Sequence, residues 1–122
     1  KPRVYIKGEY MGSFHGLYDS MPEHVYGWEY DPANLAKNLD TYSNGKIKKV
    51  CKGTLKDWIA QCVKDNRLPF IYIVPNEEFM DLPKEQRDEM VALCEQQLQY
   101  AGYRLAHVMN TIFDPAFSKS KR

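Results

Sequence analysis

One helix dominates what this chain can become. Val91, Cys94, Leu98, Ala101, Leu105, Val108 and Ile112 recur at alternating steps of three and four. That spacing predicts a single helix of about 30 residues, roughly 45 Å long, carrying one buried stripe. Asp81 before Pro83 begins it, and Asp114-Pro115 closes it. Gly102 weakens it by about 1 kcal/mol relative to Ala and marks a place for close packing. Beyond it, residues 118–122 are expected as a solvated, disordered basic tail.

The rest of the chain divides into shorter pieces. Val4, Tyr5 and Ile6 are the only strand-like run before Gly8 and Gly12. Ser13 is placed to cap a short helix holding Phe14, His15, Leu17 and Tyr18, which should end before Pro22. Asp31 and Pro32 open a second helix with Leu35 and Leu39 facing inward, and Asn44-Gly45 should stop it. Thr54 and Asp57 resemble a capping box, opening a third helix with Leu55, Trp58, Ile59 and Cys62 on one face. The run from Pro69 to Pro75 has strand-like residues but prolines at both ends, so it reads as an extended connector. There is no internal repeat and no seam. The architecture expected is all-α, with residues 1–122 forming one unit.

Composition then narrows the function classes. Seventeen Lys and Arg against sixteen Asp and Glu leave a net charge of +1, which excludes polybasic wrapping of nucleic acid. The longest apolar stretch, Leu68 to Val74, contains Pro69 and is too short to span a bilayer. Three cysteines, Cys51, Cys62 and Cys94, include no CxxC spacing, so a zinc ribbon or a thioredoxin motif is absent. They read as small buried residues, or, in an oxidising compartment, as a Cys51–Cys62 disulfide with Cys94 left over. The chain opens on Lys1, which reads as the start of a processed piece.

Metal or acid–base chemistry must draw on His15, His24 or His107, the only histidines. His107 falls in the long helix beside its stripe, and His24 in a turn after Pro22. His15 differs, because Asp19 follows four residues later. One helical turn brings an imidazole and a carboxylate side by side, where both can reach one cation. A surface His–Asp hydrogen bond uses the same spacing. Lys46, Lys48, Lys49 and Lys52 form a basic loop, either solvated or in contact with phosphates. Tyr10, Phe14, Tyr18, Tyr26, Trp28 and Tyr30 put aromatic surface around the metal candidate, for core packing or for base stacking. No phosphate-binding Gly-rich loop, GxSxG elbow or HExxH is present.

These residues also carry a resemblance. Ser13 to Pro22, SFHGLYDSMP, resembles the NLHxxWDxxxP segment of the zinc-dependent S-one/P-one nuclease family. That family holds the fungal single-strand nucleases, the plant bifunctional nucleases and the protozoan 3′-nucleotidases. Ala101 to Asn110, AGYRLAHVMN, is similar to the AGxRLAxxLN signature of the family's last helix. Val4 to Gly8 resembles its short VxFxG strand, and Trp58 looks like the tryptophan of its intervening helix. Order and spacing agree across nearly the whole chain. Ser13-Phe14 replaces the family's Asn-Leu, Tyr18 replaces its tryptophan, and the DSMP segment is one residue short.

The resemblance implies the C-terminal half of a mostly helical zinc nuclease, in a fold related to bacterial zinc phospholipase C. It implies three zinc ions per complete enzyme, two of whose ligands, His15 and Asp19, lie in this chain. Phe14, Tyr18 and Tyr26 become candidates for substrate contact. The activity implied is hydrolysis of single-stranded RNA or DNA to 5′-phosphate products, with 3′-nucleotidase activity on 3′-nucleotides. The remaining ligands would come from an N-terminal chain, so this chain alone should be inactive. Two other readings keep the fold: a non-catalytic interaction module, or a phospholipase-C-like hydrolase. The compartment implied is secreted or lumenal.

Overall fold

The computed structural model describes residues 5–6, 9–10, 14–27, 29–67 and 82–119. Among the described residues the fold is all-α apart from one minimal hairpin. Strands β1 (Tyr5–Ile6) and β2 (Glu9–Tyr10) pair antiparallel, with Tyr5 opposite Tyr10 and Ile6 opposite Glu9. The strand-like run at the start of the chain is therefore paired, in part, with the segment just after Gly8.

Helix α1 spans Phe14–Tyr26 and carries Pro22 inside it. This corrects the expectation that the helix ends before Pro22 and that His24 lies in a turn. A proline inside a helix removes one ladder bond and costs about 3 kcal/mol. Tertiary contacts offset that cost: Met21 is only 1% exposed, and Tyr26 reaches a partner on the long helix. The helix ends where the Gly27 amide donates to the Glu23 carbonyl at 2.9 Å. Gly27 there adopts a φ of 91°, a left-handed stop that favours glycine. The proposed Ser13 cap lies outside the described residues.

Helix α2 (Pro32–Leu39) starts as its sequence dictates, with Asp31 accepting from the Ala33 amide and Pro32 in the first turn. It stops earlier than Asn44-Gly45. The Asp40 amide closes it on the Ala36 carbonyl at 3.0 Å. Ser43 then caps a separate helix α3 (Asn44–Val50), accepting from the Lys46 amide at 3.3 Å. Asn44-Gly45 therefore opens a helix instead of ending one. The break is stabilised from outside: Gln99 donates to the Leu39 carbonyl at 2.8 Å, and the Tyr103 hydroxyl donates to Asp40 at 2.6 Å. No local rule carries that information.

Helix α4 (Leu55–Asp65) has the capping box read from sequence, Thr54 accepting from the Asp57 amide while Asp57 Oδ2 accepts from the Thr54 amide at 2.7 Å. Helix α5 (Lys84–Phe113) is the long one, 30 residues, and helix α6 (Pro115–Lys119) follows directly. Asp114 accepts from the Ala116 amide at 2.9 Å, so Asp114-Pro115 both closes one helix and opens the next. Ser118 and Lys119 are thus helical and not part of a disordered tail. Asp81 and the Pro69–Pro75 connector lie outside the described residues.

The core sits where α1 and α3 pack on α5. Among the described residues Met21, Val50, Cys51, Leu82, Met90 and Cys94 are buried. The stripe on α5 is buried only at its start. Leu105 and Ile112 are both 64% exposed, which corrects the expectation of a stripe buried throughout. The heptad spacing specifies an apolar face, and coverage depends on a neighbour that only tertiary structure provides. Leu55 and Ile59 are likewise on one face of α4, and that face is exposed.

Candidate functional site

Helix α1 carries every residue named as a candidate ligand or substrate contact: Phe14, His15, Tyr18, Asp19 and Tyr26. His15 and Asp19 lie one turn apart, about 6 Å along the axis of a continuous helix. Asp19 is exposed. One turn further along stands Glu23, which sequence reasoning passed over. Its Oε2 is buried with no hydrogen-bond partner among the described residues. A buried carboxylate oxygen in that state is costly unless a cation satisfies it.

Zinc chemistry can be tested against this donor set. An imidazole nitrogen and a carboxylate oxygen are both zinc donors, and a zinc centre takes three or four. His15 and Asp19 therefore fit as half of one coordination shell, with the unsatisfied Glu23 oxygen further along the same helix. Among the described residues no group of three or more His, Cys, Asp or Glu is clustered so as to hold a metal.

Tyr26 is placed differently from Phe14 and Tyr18. It is half-buried, its hydroxyl donates to Glu95 Oε1 on α5, and its ring lies 6.4 Å from that of Tyr30. Burial, and then the Glu95 carboxylate, push its phenol well above the ordinary value. The geometry makes Tyr26 a strut between α1 and α5.

None of the three cysteines is in a disulfide; Cys51 and Cys94 are buried and Cys62 is exposed. The Cys51–Cys62 disulfide is not formed, and the small-buried-residue reading holds for two of the three. Cys51 sits against the Tyr103 carbonyl at 3.5 Å. Burial, with a lesser contribution from Glu95, raises the Cys94 thiol.

The lysine cluster proves to be helical. Lys46, Lys48 and Lys49 lie on α3, which corrects the reading of a basic loop. Lys46, Lys49 and Lys52 line a cavity of about 440 Å³ whose other walls include Trp58, Tyr100 and Arg104. Arg104 organises it, donating from Nε to the Val50 carbonyl at 3.1 Å and from Nη1 to Gln61 at 2.9 Å. Its guanidinium lies 5.2 Å from the Trp58 ring centre and 5.0 Å from that of Tyr100. His107 borders a second cavity of about 870 Å³ beside Cys51 and Phe117. Its ring meets Trp58 and Phe117 edge-on. The Tyr100, Arg104 and His107 spacing marks one face of a helix, and sequence reasoning left it unused because a polar face normally meets water.

Compared with known proteins, the chain matches no family model, no curated protein and no solved structure. No described helix is long and apolar enough to cross a membrane.

Proposed function

We propose that this chain is the C-terminal part of a zinc-dependent phosphodiesterase that hydrolyses single-stranded RNA or DNA to 5′-phosphate products, and 3′-nucleotides to nucleosides and phosphate. The observation that carries the reading is the placement of His15 and Asp19 one turn apart on α1. The unsatisfied Glu23 oxygen on the same helix supports it. So do the exposed apolar faces of α4 and α5, which suit a second chain bringing the remaining ligands.

In this reading His15 offers a neutral imidazole nitrogen and Asp19 a carboxylate oxygen to the same cation. Zinc, when bound, activates a water and stabilises charge developing on the phosphate. The protein's own part is to hold the two donors in register. A helix does so because its backbone fixes the pair, and the Tyr26–Glu95 contact ties the far end of that helix to α5.

The test is zinc content together with hydrolysis of single-stranded DNA, measured on the intact protein and its His15→Ala variant. The intact protein should contain zinc and cleave the strand. His15→Ala should lose zinc and at least about a hundredfold in rate, since even residues that only support a metal ligand matter by 10–100-fold. Unchanged hydrolysis by His15→Ala overturns the assignment. Cleavage of a phosphatidylcholine analogue in place of DNA would instead assign a phospholipase-C-like activity. A zinc-free protein that cleaves neither is an interaction module.

A further inference from the structure

The cavity between α3, α4 and α5 uses no residue of α1, and its chemistry is that of an anion site. Among the described residues Lys46, Lys49, Lys52 and Arg104 face it with a single carboxylate, that of Asp57. Asp57 is committed elsewhere, accepting from the Thr54 amide at 2.7 Å and from the Thr54 hydroxyl at 2.8 Å. Four cations against one anion gives this cavity a local charge of +3 in a chain whose net charge is +1.

Arg104 is the most informative member. A half-buried guanidinium normally lies against a carboxylate, yet here its two hydrogen bonds go to neutral acceptors, a backbone carbonyl and a side-chain amide. Three of its five N–H donors remain without a partner among the described residues. Those two bonds and the flanking rings hold the guanidinium plane in place, so little side-chain entropy is lost when an anion arrives. A fixed guanidinium fork matches the paired oxygens of a phosphate, and nearby lysines add charge without demanding geometry. Trp58 and Tyr100, both half-buried in the same wall, add aromatic surface suited to a base.

We propose that this cavity binds the phosphate of a nucleotide, with the base set against its aromatic wall. The nucleotide is either free or part of a single strand. The site is distinct from the His15–Asp19 pair and does not depend on a bound metal.

The test is equilibrium binding in EDTA to the intact protein, which silences any metal-dependent step. The probes are adenosine 5′-monophosphate and a fluorescein-labelled single-stranded oligothymidylate. Lys49→Ala/Lys52→Ala is the main variant, because both side chains are exposed, whereas Arg104 also ties α5 to α3 and α4. Lys56→Ala/Lys64→Ala, two exposed lysines of α4 away from the cavity, is the control for overall charge. The cavity variant should bind on the order of tenfold more weakly, and for the strand its salt slope should fall by about 1.4 for two lost phosphate contacts. A loss seen with oligothymidylate supports a strand as the source; a loss seen only with the mononucleotide supports a free nucleotide. Equal losses in the cavity and control variants, or no loss for either probe, overturn the proposal. That failure leaves the hydrolysis of His15→Ala to be judged separately.

Discussion

The hydroxyl of Tyr26 donates to the carboxylate of Glu95, joining the last residue of α1 to the first half of α5 across 69 positions of sequence. It is the polar counterpart of the apolar packing between the two helices, where Met21 of α1 and Met90 of α5 are each almost fully buried. Together these contacts hold a proline-containing helix against its neighbour. The proposed ligand pair, His15 and Asp19, therefore stands on a helix whose position is set at its other end.

Removing that hydroxyl should be felt in stability. Tyr26→Phe is expected to cost about 1 kcal/mol in urea unfolding, discounted because both partners are only half-buried. The linkage is also visible in alkali. The folded phenol holds its proton above the ordinary value of 10.0, so its contribution is complete below that pH and is lost as pH rises beyond it. Wild-type protein should therefore lose more stability above pH 10 than Tyr26→Phe does. Parallel pH profiles would refute this.

The start of α4 predicts the opposite pH dependence. Hydrogen bonds from the Thr54 backbone, then from its side chain, hold the Asp57 carboxyl below its ordinary value of 3.8. Its contribution is present above that pH and is lost as pH falls through the depressed folded value. Thr54→Ala should cost about 1 kcal/mol at neutral pH, or about 4 °C in melting temperature. The difference from wild type should shrink in acid. Gly53 beside it has a φ of 98°, and an added Cβ would lie 2.9 Å from Asp57 Oδ2, so this turn has no room for a side chain. An acid-independent difference between Thr54→Ala and wild type would remove Asp57 from the account.

Apolar exposure on two helices makes a third prediction. Leu55, Ile59 and Val63 recur every four residues on α4, and Leu105, Met109 and Ile112 follow one face of α5. Surfaces of this kind drive association. The isolated chain should self-associate at micromolar concentration in sedimentation velocity, and Ile59→Ser combined with Ile112→Ser should shift it toward monomer. Thermal stability should change by less than about 0.5 kcal/mol per site, because neither side chain is buried. A monomeric wild-type chain, or a destabilised variant, would contradict the picture.

Local rules read this chain well wherever a residue answers to its immediate neighbours. The capping box at Thr54 and Asp57, the Asp31-Pro32 start and the span of the long helix were all legible, because capping and periodicity act within one or two turns. The same rules failed at Pro22 and at Asn44-Gly45. Pro22 disfavours a helix locally, but burial of Met21 and the Glu95 contact carry α1 through it. Asn44-Gly45 is a turn signal that loses to Ser43 once Gln99 and Tyr103 satisfy the break before it. The candidate site divides in the same way. The His15 and Asp19 spacing could be seen in one dimension; the unsatisfied Glu23 oxygen and the Arg104 cavity could not.

The sequence by itself determined an all-α chain, its longest helix and the one-turn spacing of His15 and Asp19. Each of these depends on contacts between residues a few positions apart. Tertiary structure alone decided which apolar faces are covered, where α1 ends and which cations surround Arg104. Those outcomes depend on the free energy of groups far apart in sequence, such as Val50, Gln61 and Arg104, which no period or cap encodes.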